Sequence, residues 1–316
     1  LWRSTRPRPR CAKCWESDPM EQIYRPTRRN GLILHSVALA AFSVASGAAF
    51  WLAFRQDVGG NFVLYILLAL LLFIPVPILA YRGYALLTAR YSIERDGLRL
   101  RWGLRAEDIP LTEVEWVRPA ADLAFELPLP RLSWPGAIVG GLTVGDLGPV
   151  EYMASERDLL LLVATPARVY AISPADPVSF VRAFQYATEM GSLSPIDAYS
   201  ARPASYLRSV WSDRAARVLI LAGGALALAL FVLVSLAIPG RQTASLGFTS
   251  SGQPIPAGPA VQLLLLPILG VLAFVMDLIG GAFFYRYDPW RPVAYLLWGS
   301  GVLTPAVLLL AVLFLL

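Results

Sequence analysis

The sequence predicts an α-helical membrane protein that is interrupted by one inserted, mainly-β domain. The 316-residue chain is 56% hydrophobic and 16% charged, with a mean hydropathy of +0.56, whereas about a quarter of the residues in a typical soluble domain are charged. Five apolar stretches are each about as long as the roughly 20 residues that a helix needs to cross a bilayer. Between the second and third stretches, residues 82–200 contain short runs in which apolar and polar side chains alternate, as in strands.

The predicted spans, about five in number, are residues 31–53, 61–81, 218–238, 260–284 and 293–316. The first has no charged side chain apart from the titratable His35, the only histidine of the chain. Pro75 and Pro77 should kink the second span, because a proline inside a helix removes a backbone hydrogen bond. The membrane lipid bilayer is therefore the first predicted partner.

Basic residues in the flanks predict the orientation, because cytoplasmic loops are enriched in arginine and lysine. Residues 1–30 carry eight basic side chains, whereas the 54–60 connection has only Arg55, balanced by Asp57. We expect a multi-pass protein of the cell inner membrane, with the N-terminus and the inserted domain cytoplasmic and the C-terminus outside. A cleaved signal peptide that starts at Met20 is an alternative for the first span.

Five segments follow from this assignment. They are a basic N-terminal tail (1–30), a transmembrane hairpin (31–81), a cytoplasmic domain (82–200), a basic juxtamembrane linker (201–217) and three transmembrane helices (218–316).

The formal net charge of +5 does not indicate a nucleic-acid-binding protein. Residues 82–215 hold 14 basic and 16 acidic side chains, so the predicted soluble domain is slightly acidic. Nucleic-acid binders instead carry a basic patch or stripe. The excess positive charge lies mainly in residues 1–30, where it marks the cytoplasmic side.

The inserted domain is expected to contain about seven short strands followed by one helix. Arg95-Asp96-Gly97 is a tight turn with glycine where a positive φ is favoured. Asp176 is a predicted helix N-cap with Pro177 at the first helical position, and Gly191 is the predicted C-terminal glycine. The candidate strand segments are Leu87–Glu94, Leu98–Trp102, Ala106–Pro110, Glu113–Val117, 137–144, 149–153, 159–165 and 168–173.

Two runs in this domain carry a family resemblance. YSIERDGLRLRWG, followed by IPLTEVEWVRP, resembles the start of a bacterial pleckstrin-homology-like (bacterial PH) domain, and LLLLVATPARVYAISPADPVSFVRAF resembles its end. The resemblance implies a seven-stranded fold capped by a C-terminal helix. It implies little about activity, because one fold serves many functions. The proline-rich insert near 119–136 departs from the family pattern.

The sequence offers few chemical sites. Cys11 and Cys14 are half of a zinc or redox motif, but four ligands are needed for structural zinc, so no metal and no cofactor is predicted. No catalytic constellation is recognisable, and we expect a protein that is not an enzyme. Asp277, near the middle of the fourth span, is the candidate intramembrane functional residue. It could act as a proton or ion relay, as a contact to a polar partner, or as a structural group hydrogen-bonded to a neighbouring span.

Three arginines of the first hairpin are candidate contacts for an anionic lipid: Arg95, Arg99 and Arg101. Glu94, Asp96, Glu107 and Asp108 interleave with them, so the hairpin lacks a field of one sign.

Three functions are left open at this point. The leading hypothesis is a scaffold or interaction protein that presents the domain to a protein partner or to another copy of itself. Such a protein could be a subunit or partner of a larger membrane complex. Its strand edges and the 119–136 insert are the expected contact surfaces. The alternatives are a small transporter or proton-coupled protein that uses Asp277, and an anionic-lipid-responsive regulator.

Overall fold

The computed structural model describes residues 22–131, 133–191, 196–244 and 258–315. Cys11 and Cys14 lie outside these residues. The chain forms two compact units. The first unit comprises the residues up to Leu39 together with Ile78–Arg202, and the second comprises Ala40–Pro77 together with Pro203–Leu316.

Among the described residues, five helical segments are long and apolar enough to cross a membrane: Arg29–Phe54, Gly60–Thr88, Arg214–Gly240, Ala260–Phe284 and Asp288–Phe314. Five such segments fit the expected fold class and are consistent with a membrane-associated protein.

The prolines divide the second of these segments into two helices. Helix α1 is Arg29–Phe54, α2 is Gly60–Phe73 and α3 is Pro75–Thr88. Pro75 occupies the first position of α3, where its missing N–H is tolerated. The predicted start of the first strand at Leu87 is wrong. Helix α3 continues through Thr88, and the strand begins at Arg90.

Among its described residues, the first unit contains ten strands in two five-stranded sheets, rather than about seven. They are β1 Gln22–Tyr24, β2 Arg90–Ile93, β3 Gly97–Trp102, β4 Arg105–Pro110, β5 Trp116–Pro119, β6 Ile138–Val144, β7 Gly148–Ala154, β8 Leu161–Ala164, β9 Val169–Ile172 and β10 Tyr199–Ala201. One sheet has the order β1-β2-β3-β4-β10 and the other β5-β8-β9-β7-β6. Neighbouring strands are antiparallel except for β7 and β9.

Helix α4, Pro177–Met190, follows the last central strand. The Asp176 side chain accepts a hydrogen bond from the backbone N–H of Ser179 at 3.0 Å, which caps the helix. Gly191 ends it with a φ of +71°, a conformation that favours glycine. The buried face of α4, with Phe180 and Phe184, packs into the core shared with β2, β3, β8 and β9.

The second sheet is buried on both faces, which explains why LLLLVAT is a continuous apolar run rather than an alternating one. One face packs against the core that includes α4, and the other against the proline-rich insert. Leu127 of the insert is buried in this second core. The Tyr152 hydroxyl donates to the Pro128 carbonyl at 2.6 Å. The insert is therefore a cover of the sheet for part of its length, in addition to any role as a contact surface.

Two of these strands were not predicted from the sequence: β1 lies in the expected basic tail, and β10 spans the expected boundary between the domain and the linker. Residues 22–28, expected in a basic tail, belong to the first unit: β1 pairs with β2, and the Thr27 hydroxyl lies 3.0 Å from that of Ser155. The expected basic juxtamembrane linker 201–217 contains regular secondary structure. Its first residue ends β10, and Pro203–Ser212 forms helix α5.

The second unit is built mainly from three long helices: α6 Arg214–Ala237, α7 Leu265–Phe284 and α8 Arg291–Leu315. Glycines allow them to approach closely, because a Cβ on Gly223 would lie 2.8 Å from the Gly301 carbonyl oxygen. Two short strands, β11 Thr243–Ala244 and β12 Gly258–Pro259, pair antiparallel between α6 and α7.

One carboxylate joins the ends of all three helices. Asp213 caps α6, and its Oδ2 accepts hydrogen bonds from the hydroxyls of Tyr285, at 2.9 Å, and Tyr295. These hydrogen bonds, above all that from Tyr295, lower the pKa of Asp213. Asp213 is thereby favoured in its ionised form.

Candidate functional site

The basic hairpin formed by β2 and β3 is engaged with acceptors of its own unit. Arg99 forms an ion pair with Glu94 at 3.0 Å and Arg101 one with Asp108 at 2.5 Å. The Arg95 Nε donates to the Gly191 carbonyl at 3.1 Å. The structure therefore places the three candidate lipid contacts on one hairpin but gives each an internal partner. An anionic headgroup would have to compete with these contacts.

A buried charge cluster lies beside this hairpin and was not singled out from the sequence. Glu107 of β4 is only 1% exposed. Its carboxylate accepts from Arg202 Nε at 2.7 Å and from Arg105 Nη2 at 3.2 Å. The same two arginines reach Glu151 of β7, each at 2.9 Å. Two carboxylates and two guanidinium groups therefore balance one another between strands that belong to different sheets.

Tyr170 completes the cluster by donating its hydroxyl to Glu107 at 3.3 Å. Burial, together with the nearby Glu107 carboxylate, raises the pKa of Tyr170. The cluster thus forms a buried ionic and hydrogen-bonded connection between the two sheets.

A shallow apolar groove runs between the edge strand β5 and helix α4. Its volume is about 320 Å³, and it is lined by Pro119, Leu161, Pro177, Val178, Val181, Arg182 and Gln185. Val178 is 67% exposed although it is apolar. Pro119 has no backbone N–H to offer at the sheet edge, so a ligand here would rely on side-chain contacts more than on strand addition.

Asp277 lies on α7 and accepts a hydrogen bond from the Ser300 hydroxyl of α8 at 2.6 Å. Among the described residues, Ser300 is the hydrogen-bond partner that the structure gives it. Asp277 is thus not brought together with Arg95, Arg99 or Arg101, which belong to the first unit.

In the described part of the chain, no three His, Cys, Asp or Glu side chains lie close enough together to bind a metal ion. His35 is buried, and its Nδ1 lies 2.7 Å from the Gly31 carbonyl oxygen of its own helix. That contact is typical of a packed histidine within a helix.

The strand order, the terminal helix α4 and the surfaces described above bear on the family resemblance. Residues 89–188 match the family model of the bacterial PH domain. The resemblance drawn from the hairpin and ISPADP runs is therefore confirmed. The match covers about a third of the chain and includes β2 to β9 and most of α4, while β1 and β10 lie outside it. No curated protein and no solved structure matches the chain.

Proposed function

We propose that this chain is a non-enzymatic integral membrane protein that presents its bacterial PH domain to a protein partner at the cytoplasmic face. The observation that carries the proposal is the placement of the domain within the chain. Helix α3, the end of an apolar segment, stops at Thr88, one residue before the matched segment starts, and α6 begins at Arg214 after the short helix α5. The domain is therefore tied at both ends to helices that can cross a membrane.

The orientation is supported by the pairing of β1 with β2. Residues 22–24 precede the first span and residues 90–93 follow the second, yet both lie in one sheet. Two strands of one sheet must be on the same side of a membrane, so an even number of crossings separates them. The arginine distribution favours the cytoplasm of the inner membrane for that side, with the C-terminus outside.

Labelling of single cysteines tests this orientation. Cys11 and Cys14 are first replaced by serine, and the exposed positions Gln56 and Tyr186 are changed to cysteine one at a time. In intact spheroplasts, a membrane-impermeant maleimide should label Gln56→Cys, whereas Tyr186→Cys should react only after permeabilisation. The reverse pattern would refute the orientation.

The groove between β5 and α4 is our proposed contact site for an apolar segment of the partner. Its apolar lining supports this assignment, because covering side chains such as the 67%-exposed Val178 removes apolar surface from water. The internal pairing of Arg99 and Arg101 makes the hairpin a weaker candidate.

Site-specific photocrosslinking of the full chain in its native membrane tests the docking site. A photoreactive amino acid at Val178 should give a discrete crosslinked product, which Val181→Glu should abolish. The matched control is the same amino acid at Tyr186, which is exposed on α4 but does not line the groove. Equal products at both positions, or none at either, would contradict the proposal; a product with a second copy would identify self-association.

The two alternative functions have their own measurements. Binding of the purified chain to anionic vesicles should be unchanged by Arg99→Ala with Arg101→Ala, whereas a lipid-responsive regulator would lose it. A proteoliposome flux that is abolished by Asp277→Asn would instead establish a transporter.

A further inference from the structure

Asp277 and Ser300 form a polar pair on the outer surface of two apolar helices. Ser300 is exposed and Asp277 is partly exposed. The neighbouring side chains Met276 and Leu296 are 70% and 73% exposed. The pair thus lies where α7 and α8 meet, with its exposed side on the outer surface of the helix bundle, which lipid chains would cover in a membrane.

The pair lies well inside the apolar part of both helices. Asp277 is seven residues from the end of α7 at Phe284, and Ser300 is nine residues from the start of α8 at Arg291. At about 1.5 Å per residue, both positions are roughly 10 to 14 Å from that end of the helices. The hydrocarbon layer is about 30 Å thick, so the carboxyl group is far from water on either side.

A carboxylate at this depth is unfavourable unless it is paired. Ionisable residues within spans normally face the bundle interior and pair with another group. Within the described residues, Asp277 has only the neutral hydroxyl of Ser300 as a hydrogen-bond donor. Within the part of the chain that the structure describes, no positively charged side chain pairs with this carboxyl group.

The surface beside the carboxylate is flat enough for another helix. A Cβ on Gly299 would meet no atom within 4 Å, so this position opens outward. A Cβ on Gly301 would lie 3.3 Å from the Cβ of Asp277, so glycine lets the aspartate lie close against α8. Small residues of this kind allow helix backbones to approach closely in membranes.

We propose that this face docks a membrane-spanning helix of a partner protein, and that a lysine or arginine of that helix pairs with Asp277. Charge complementarity selects this occupant over a second copy of the chain. Within the described spans, basic side chains lie only within about two helical turns of a span end: Arg29, Arg82, Arg214, Arg217 and Arg291. A second copy would present apolar residues, or another Asp277, at the required depth. The surface belongs to the second unit and is independent of the groove on the PH domain.

Energy transfer in vesicles of neutral phosphatidylcholine tests the proposal. The donor-labelled full chain is combined with an acceptor-labelled, membrane-spanning leucine-alanine peptide that has one central lysine. The matched control peptide has leucine in place of that lysine. We expect the lysine peptide to associate, and its association constant to fall by about tenfold for Asp277→Asn. Ser300→Ala should cause a smaller loss, because it keeps the charge.

Several outcomes would overturn the proposal. Equal association of the two peptides with the wild-type chain would show that the lysine charge does not contribute. An unchanged association constant for Asp277→Asn would show that the carboxylate does not contribute. Asp277-dependent association of the chain with itself, in the absence of peptide, would identify a second copy as the occupant. Matching circular dichroism spectra exclude misfolding of the variants, and crosslinking at Val178 tests the PH-domain groove separately.

Discussion

The buried carboxylate of Glu107 should be one of the most sensitive positions of the PH domain. Glu107→Gln keeps the shape of the side chain but removes its charge. Arg105 and Arg202 would then share Glu151 as their one remaining carboxylate in the cluster. Removing one partner of a buried ion pair costs about 3 to 5 kcal/mol. Because Glu151 remains 2.9 Å from both arginines, we expect the lower end of this range, about 3 kcal/mol.

Hydrogen exchange of the full chain in detergent measures this loss where it occurs. A decrease of about 3 kcal/mol corresponds to roughly a hundredfold faster exchange of the protected amides in β4 and β9. Glu115→Gln is the matched control, because Glu115 is exposed and should change exchange little. Exchange in Glu107→Gln that is no faster than in this control would refute the reasoning, and would show that the cluster is neutral for stability, as some buried ion pairs are.

Three further substitutions test the packing and the pH dependence of the same domain. Gly136→Ala should lower the free energy of unfolding by at least about 1 to 3 kcal/mol, because its φ is +82° and a Cβ would lie 2.3 Å from the Gly31 Cα. A denaturant titration measures this loss. In the same titration the control Gly145→Ala should change the free energy of unfolding little, because a Cβ there meets no atom within 4 Å. Leu127→Ala should lower the free energy of unfolding by about 2 to 5 kcal/mol, because it opens a cavity between the insert and the sheet. Amide hydrogen exchange in β8 and β9 should become faster. Unchanged exchange would mean that the insert does not stabilise the sheet. Burial raises the pKa of Tyr152 to about 12 from an ordinary 10.0. As the pH rises, the Tyr152 hydroxyl therefore ionises in the unfolded chain before it does so in the folded chain. The free energy of unfolding should be constant below about pH 10 and should fall as the pH rises toward about 12. Unfolding titrations of Tyr152→Phe should show a smaller fall over the same pH range.

The parts of the fold that could be predicted from the sequence depend on local rules. The Asp176-Pro177 start of α4 and its end at Gly191 follow from capping and from the φ preference of glycine. The apolar segments follow from length and hydropathy, and the break before α3 follows from Pro75.

The remaining parts depend on contacts between distant residues. Strand β1 is three residues long and has no strong pattern of its own, and it forms because β2 offers an open edge. Glu107 stands between Ala106 and Asp108, so the local pattern does not mark it as buried, and its partner Arg202 lies 95 positions further along the chain. No local signal could show that the two side chains meet, or that the insert covers the outer face of the second sheet.

The origin of the two outer strands of the first sheet sets the order in which the domain can be assembled. Strand β1 is synthesised before the first span, and β10 only after the matched PH segment is complete. All five strands of the first sheet are therefore available only after α1, α2 and α3 have been synthesised and synthesis has passed Ala201. A fragment limited to residues 89–188 would lack both outer strands and Arg202, and so would leave two strand edges unpaired and Glu107 without one of its cations. Synthesis of the first two apolar segments therefore precedes completion of the first sheet, whereas α6, α7 and α8 follow it.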